Sequence, residues 1–272
     1  MKIVNHKLDV AKYQASPNKS GKFAQGNLDT LIIHFTAASS ASVAVNWLRN
    51  PKARASAHVI VDEKGAITQL VDFDTVAWHA GVSSYDGRTG FNKYSIGIEI
   101  SNPGKLEKVG EKYKAWFGTK YSADEALLAR HRNSLKESYW HTYTEKQIAT
   151  VQELCATLIE TYNIKHILGH EEIAKGRKWD PGPAFPLDKM REYVLTEDRS
   201  LEGSDANLPL PELALVNTKS LNIRSGPSGQ NQTVAPPLAR GTKVEVLGQA
   251  NNWYKVRTSV EGWVSKNYLI DI

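Results

Sequence analysis

His34, Glu99, His170, Lys178 and Asp180 are the residues whose types and surroundings could carry chemistry. His34 closes the apolar run Leu31-Ile32-Ile33, and α/β sheets commonly present functional side chains at such strand ends. His170 follows a second apolar run in Ile167-Leu168-Gly169-His170-Glu171-Glu172. Asp180 precedes Pro181, which biases its backbone toward an extended conformation. In an extended segment Lys178 and Asp180 point to one side and Trp179 to the other, and Pro181 and Pro183 stiffen the loop. Glu99 shares a strand face with Gly97, opposite Ile96, Ile98 and Ile100, so a ligand has room beside its carboxylate. Groups of these types can ligate a metal or move protons. Each taken singly reads equally as a structural histidine or a buried ion-pair partner. Their spacing is too wide for a local metal motif. Cys155, the only cysteine, excludes a disulfide framework and any zinc site built from several cysteines. On the apolar face of its helix it reads as buried core.

The elements that position these residues follow from periodicity. Residues 31–35, 59–61, 67–71 and 95–100 read as short strands. Thr144 and Gln147 form a capping box. Ile148, Val151, Leu154, Cys155, Leu158, Ile159 and Tyr162 then recur at helical spacing. A second helix is predicted over 41–48, stopped by Asn50-Pro51. Strands alternating with helices give an α/β domain, a mixed central β-sheet flanked by helices. Residues 101–141 are polar and irregular, and read as an extended loop or lid-like insertion. Residues 196–213, acidic and rich in Gly, Ser, Asp, Asn and Pro, read as a linker between domains at 1–195 and 214–272. Beyond it, strand-like segments at 220–224, 243–247, 253–257 and 262–265, separated by turn residues, predict a small β-barrel.

The 272 residues carry a net charge of +5, distributed unevenly: −4 over 196–213, +4 over 214–272, and +5 over 1–195. A basic body could attract an anionic polymer, but no Arg/Lys-dense helix, phosphate-binding glycine loop or ribonucleoprotein motif points to nucleic acid. No apolar run approaches the roughly 18 residues of a membrane span, so no membrane insertion is expected. The first residues show no apolar export segment.

Residues 28–188 resemble the zinc-dependent N-acetylmuramoyl-L-alanine amidases of the amidase-2 type, related in fold to peptidoglycan-recognition proteins. The resemblance rests on six blocks in order: Leu31-Ile32-Ile33-His34-Phe35-Thr36-Ala37, Ser56-Ala57-His58-Val59-Ile60, Ala77-Trp78-His79-Ala80-Gly81, Ser95-Ile96-Gly97-Ile98-Glu99-Ile100, Ile167-Leu168-Gly169-His170 and Gly176-Arg177-Lys178-Trp179-Asp180-Pro181-Gly182-Pro183. It implies that His34, His170 and Asp180 hold one Zn²⁺ per chain, Asp180 standing where some relatives have cysteine. Two neutral imidazoles and a carboxylate leave such an ion net positive, with a fourth position for water. Glu99 is then the proton shuttle and Lys178 the oxyanion partner. His58 and His79 are weaker candidates for the substrate groove, and equally loop histidines. Arg177 suits stem-peptide carboxylates, or else a surface salt bridge. The implied reaction is hydrolysis of the amide between N-acetylmuramic acid and L-alanine in peptidoglycan or muropeptides. The alternatives are a non-catalytic peptidoglycan-binding protein and a zinc peptidase acting within the stem peptide.

The last domain resembles bacterial SH3 modules, through Leu221-Asn222-Ile223-Arg224-Ser225-Gly226-Pro227-Ser228, Trp253-Tyr254-Lys255-Val256 and Gly262-Trp263-Val264. Such modules are expected to hold wall-lytic enzymes on their polymer and so raise local concentration. Substrate and module favour the cell envelope or exterior. Without a visible signal, a cytoplasmic enzyme or one released by phage lysis fits as well.

Overall fold

Six short strands, arranged by their apolar patterning, build the sheet that carries the candidate residues. The computed structural model describes residues 1–195, 211–229, 231–250 and 253–259. Its principal elements are strand β1 (Thr30–Phe35), helix α1 (Ala41–Leu48), strand β2 (Ser95–Ile100), helix α2 (Glu145–Tyr162), strand β3 (His166–Gly169), the single-turn helix α3 (His170–Ile173) and helix α4 (Leu187–Leu195). In the sheet β3 lies at one edge, followed by β1, β2, Val59–Val61, Ile67–Gln69 and Lys12–Tyr13. The β3–β1–β2–Val59–Val61 half is parallel, and Val59–Val61 meets Ile67–Gln69 antiparallel, so the sheet is mixed.

Alternation along the strands divides the two faces. Leu31, Ile33, Ile96, Ile98 and Ile100 face the main core, where Val151, Leu154, Cys155 and Leu158 of α2 pack with Met190 and Val194 of α4. Side chains of this kind, fully buried, stabilise the fold by roughly 1.5–3 kcal/mol each. The helix begins as expected: Thr144 accepts from the Gln147 amide while Gln147 returns a bond to the Thr144 amide, completing the capping box. Asn163, left-handed at φ 52°, ends it. On the opposite face Ile60 packs with Ala44, Val45 and Leu48 of α1, and Ile32 packs with Ala80, Phe91, Leu168 and Ile173. Ser40 caps α1 through the Val43 amide. The face that bears His34 and Glu99 is therefore only partly apolar.

Residues 101–141 are not an irregular loop. They form a five-stranded antiparallel sheet in the order Lys120–Tyr121, Lys112–Ala115, Lys105–Val109, Glu137–His141, Ala126–Arg130. A small cluster of Leu106, Ala115 and Ala126 with Tyr113, Phe117, Tyr121 and Tyr139 holds it together. Each strand is short, and four of the five present lysine or glutamate outward while Ala126–Arg130 exposes Leu128 and Arg130, which hides the alternation from a reading of hydropathy. The N-terminal pairings Ile3–Val4 with Lys7–Leu8 and Lys19–Lys22 with Thr75–Ala77, and helix α4, also lie beyond the sequence expectations.

The chain divides into two compact units, Met1–Leu201 with Asn217–Ser220, and Glu202–Val216 with Leu221–Ile272. The expected linker falls largely on residues 196–210, outside the described residues. In the second unit Leu213–Leu215, Lys243–Ala250 and Trp253–Arg257 make an antiparallel sheet. The strand expected over 262–265 also lies outside the described residues. Among the described residues no helix is long and apolar enough to cross a membrane.

Candidate metal centre

Parallel register brings the candidate residues together at the carboxyl ends of three adjacent strands. His34 of β1 stands opposite Glu99 of β2, on the same sheet face. Gly169 of β3 pairs with Ile33, so His170, the next residue, emerges beside His34. Asp180 arrives on the loop after α3, where the Glu171 amide donates to the Asp180 carbonyl at 2.8 Å. The Asp180–Pro181 peptide is cis. His34 Nδ1, His170 Nδ1 and Asp180 Oδ2 lie 2.9 Å from one another, and all three residues are buried.

The surrounding hydrogen bonds assign the protons on these rings. His170 Nε2 lies 3.1 Å from the Ala80 carbonyl and donates to it, which turns Nδ1 toward Asp180. His79 Nε2 likewise faces the Ser95 carbonyl at 3.1 Å and donates to it. Burial and the neighbouring imidazoles of His34 and His58 hold His79 neutral, well below the usual imidazole range. Its Nδ1 is therefore an acceptor, and His34 Nε2 donates to it at 3.0 Å. Burial, then the adjacent His170, push His34 down to about 4, so it too is neutral, with its Nδ1 lone pair turned inward. The Nδ1 atoms of two imidazoles and a carboxylate oxygen thus converge. The composition of this donor set fits a divalent ion.

Glu99 supplies a second observation. Its Oε2 is buried and has no hydrogen-bond partner among the described residues, an arrangement that native interiors rarely leave without purpose. Burial, then the Asp180 carboxylate, raise its pKa to about 8, against the opposing charge of Lys178. A carboxyl whose proton affinity falls near neutrality suits proton transfer. His34, Glu99, His170, Lys178 and Asp180 all line one open cavity of about 400 Å³, whose rim carries Trp47, Trp78 and Trp179. That volume lies within the range of small-molecule sites.

The weaker candidates separate. His79 lines the cavity, but its ring is committed to His34 and Ser95. The space beside Gly97 is filled by this ring: a Cβ there would stand 2.4 Å from His79 Cγ. The room expected for a ligand next to Glu99 on that strand is thus taken. His58 does not reach the groove as expected. It is fully buried, its Nε2 donating to the Thr75 carbonyl at 2.9 Å and its Nδ1 accepting from the Gly97 amide at 3.0 Å. Its role is to fix β2 against its neighbours. Arg177 lines the cavity and makes no ion pair among the described residues. Its Nη2 donates to the carbonyls of Ala80 (3.0 Å) and Val82 (2.5 Å). Cys155 is buried, its thiol pushed up to about 12 by desolvation. His131 and Glu171, a buried pair beside the site, carry no signal in the sequence, because the contact joins positions 40 residues apart.

Comparison with known proteins adds kinship to this geometry. Residues 24–183 match a family described as N-acetylmuramoyl-L-alanine amidase, and residues 219–270 match the bacterial SH3 domain. The chain is 34% identical over 146 residues to the 1,6-anhydro-N-acetylmuramyl-L-alanine amidase AmpD of Escherichia coli (strain K12), covering 53% of this chain and 61% of that protein. It is 30% identical over 189 residues to the N-acetylmuramoyl-L-alanine amidase AmiD of the same organism, covering 66% and 58%. The chain thus spans about three fifths of the length of these relatives. A crystal structure of a selenomethionine AmpD derivative superposes with a TM-score of 0.52 at 27% identity, covering 71% of this chain and 98% of that one.

Proposed function

Because the chain belongs to the N-acetylmuramoyl-L-alanine amidase family, we propose that it hydrolyses the amide between the lactyl group of N-acetylmuramic acid and L-alanine, in peptidoglycan or muropeptides, with one zinc ion held by His34, His170 and Asp180. The observation that carries this reading is the convergence of three metal-ligating atoms beside the unpartnered oxygen of Glu99 in one cavity. When bound, zinc lowers the pKa of water from about 15.7 towards 7 and polarises the scissile carbonyl.

The chain's own residues do the rest. Glu99 accepts the proton of the attacking water on its carboxylate, then passes it to the departing amine of L-alanine. Lys178, lining the same cavity, donates to the carbonyl oxygen as negative charge develops there. His79 holds His34 in the tautomer that turns Nδ1 to the centre. Arg177, at the rim, has guanidinium hydrogens suited to stem-peptide carboxylates. Residues 1–195 are the catalytic domain and 196–213 the linker. The SH3-like domain over 214–272 holds the enzyme on the wall.

Peptide release from purified sacculi by the full chain, with and without a chelator, tests the reading. Free lactyl groups and intact stem peptides, lost on chelation, are the expected products. Shortened peptides would make it a peptidase. Binding without release by zinc-loaded protein would make it a recognition protein.

A further inference from the structure

Glu171 is the residue after His170, and its side chain is 3% exposed. Its amide donates to the carbonyl of Asp180 at 2.8 Å, and its Oε2 accepts the amide of Gly182 at 3.2 Å. One residue thus grips the chain on both sides of the Asp180–Pro181 peptide while sitting next to His170. The two ligand positions, ten residues apart in sequence, are held in one frame by Glu171.

Glu171 is itself held by the inserted sheet. The loop between Ala126–Arg130 and Glu137–His141 presents three consecutive residues to it. His131 Nε2 meets Glu171 Oε2 at 2.5 Å, Arg132 Nε meets Oε1 at 2.8 Å, and Asn133 Nδ2 donates to the Glu171 carbonyl at 2.7 Å. The Asn133 amide donates to His131 Nδ1 at 3.1 Å, which places the ring proton on Nε2, aimed at the carboxylate. Trp140 stacks on the His131 ring, and Trp179, the residue before Asp180, meets its edge at 4.8 Å. The His131 side chain is 1% exposed, so this donor has no alternative partner in solvent.

We propose that His131 and Glu171 are positioning residues of the metal centre, and that the insertion over 101–141 braces the ligand loop instead of closing over it. The inference rests on the ligand assignment of the proposed function. Loss of the His131 proton donor frees the Glu171 carboxylate to turn away from Gly182, and the Asp180 segment loses its fixed distance to His170. Outer partners of this kind commonly change metal affinity by about 10–100-fold.

The test measures zinc affinity of the full chain by competition with a chromogenic chelator, alongside thermal unfolding of the metal-free protein. His131→Ala is expected to weaken zinc binding by about 10–100-fold. His131→Gln, whose amide can still donate to Glu171, restores most of it. Val151→Ala, a core change in α2 remote from the site, lowers the melting temperature and leaves zinc affinity at the parent value. Parent affinity in His131→Ala overturns the proposal, whatever its melting temperature. If His131→Ala does not fold, Arg132→Ala decides: it removes the bond to Oε1 together with the Arg132 ion pairs to Glu172 and Asp188 and should weaken zinc several-fold, and an unchanged affinity again overturns the proposal. A parent protein that binds no zinc defeats the ligand assignment itself, a result distinct from either.

Discussion

His34 and His79 are joined ring to ring, Nε2 to Nδ1 at 3.0 Å, and Gly97 makes that pairing possible by having no side chain. Replacing Gly97 with alanine would set a methyl 2.4 Å from His79 Cγ, inside any tolerated contact. Gly97→Ala is expected to destabilise the fold by about 1–3 kcal/mol, as overpacking does, and to weaken metal binding by displacing the partner of His34. Chemical unfolding and metal titration check it. A variant with parental stability would show that the His79 ring moves freely.

Glu99 lines the same cavity but is not among the three donors. Glu99→Gln should retain stoichiometric zinc while turnover falls by about 10²–10⁴-fold, the usual contribution of a positioned proton shuttle. Elemental analysis and initial rates on a soluble muropeptide separate the two properties. Turnover at the parent rate would remove Glu99 from the mechanism.

His34→Ala, His170→Ala and Asp180→Ala should each lose bound zinc, since each removes one of three convergent donors. Chelation of the parent should abolish hydrolysis and added Zn²⁺ restore it. Full activity in metal-free protein contradicts the assignment.

His58 gives the fold a pH dependence of definite sign. Burial lowers its pKa from 6.5 to about 4 in the folded chain. The unfolded chain therefore takes up the proton first as pH falls. The stability is fully present above pH 6.5 and is lost progressively between 6.5 and about 4, by about 3 kcal/mol in all. Urea unfolding at pH 7 and pH 4.5 should show a smaller acid loss in His58→Gln, which keeps a donor for Thr75 and an acceptor for Gly97 without titrating. Equal losses in parent and variant would assign the acid sensitivity elsewhere.

Removing residues 221–272 spares Asn217–Ser220, which belong to the first unit. The shortened chain should cleave small muropeptides at the parent rate and bind intact wall less well. Pull-down on sacculi and rates on both substrates check this. Equal wall binding would leave the SH3-like domain without an anchoring role.

The parallel core was legible because its residues carry strong local signals, whereas the candidate site residues, each readable alone as structural, were grouped only through the family resemblance. Ile96, Ile98 and Ile100 alternate, Thr144 and Gln147 announce a helix start, and His34 ends an apolar run. The inserted sheet was not legible. Lys105–Val109 has one buried side chain, Leu106, and its partner Lys112–Ala115 also one, Ala115. With so little apolar content, pairing is decided by neighbours distant in sequence. The misplacement of His58 has a similar origin. A histidine in an apolar strand entry reads the same whether its nitrogens face a groove or, as here, the backbone of Thr75 and Gly97.

Because side chains alternate along β1 and β2, a slip of one residue between them would turn an imidazole or a carboxylate into the layer of isoleucines under α2. The greasy side of the sheet thus acts as the ruler for the wet side. Softening it, for instance by trimming Ile98, should blur the spacing of the donors before it melts the protein.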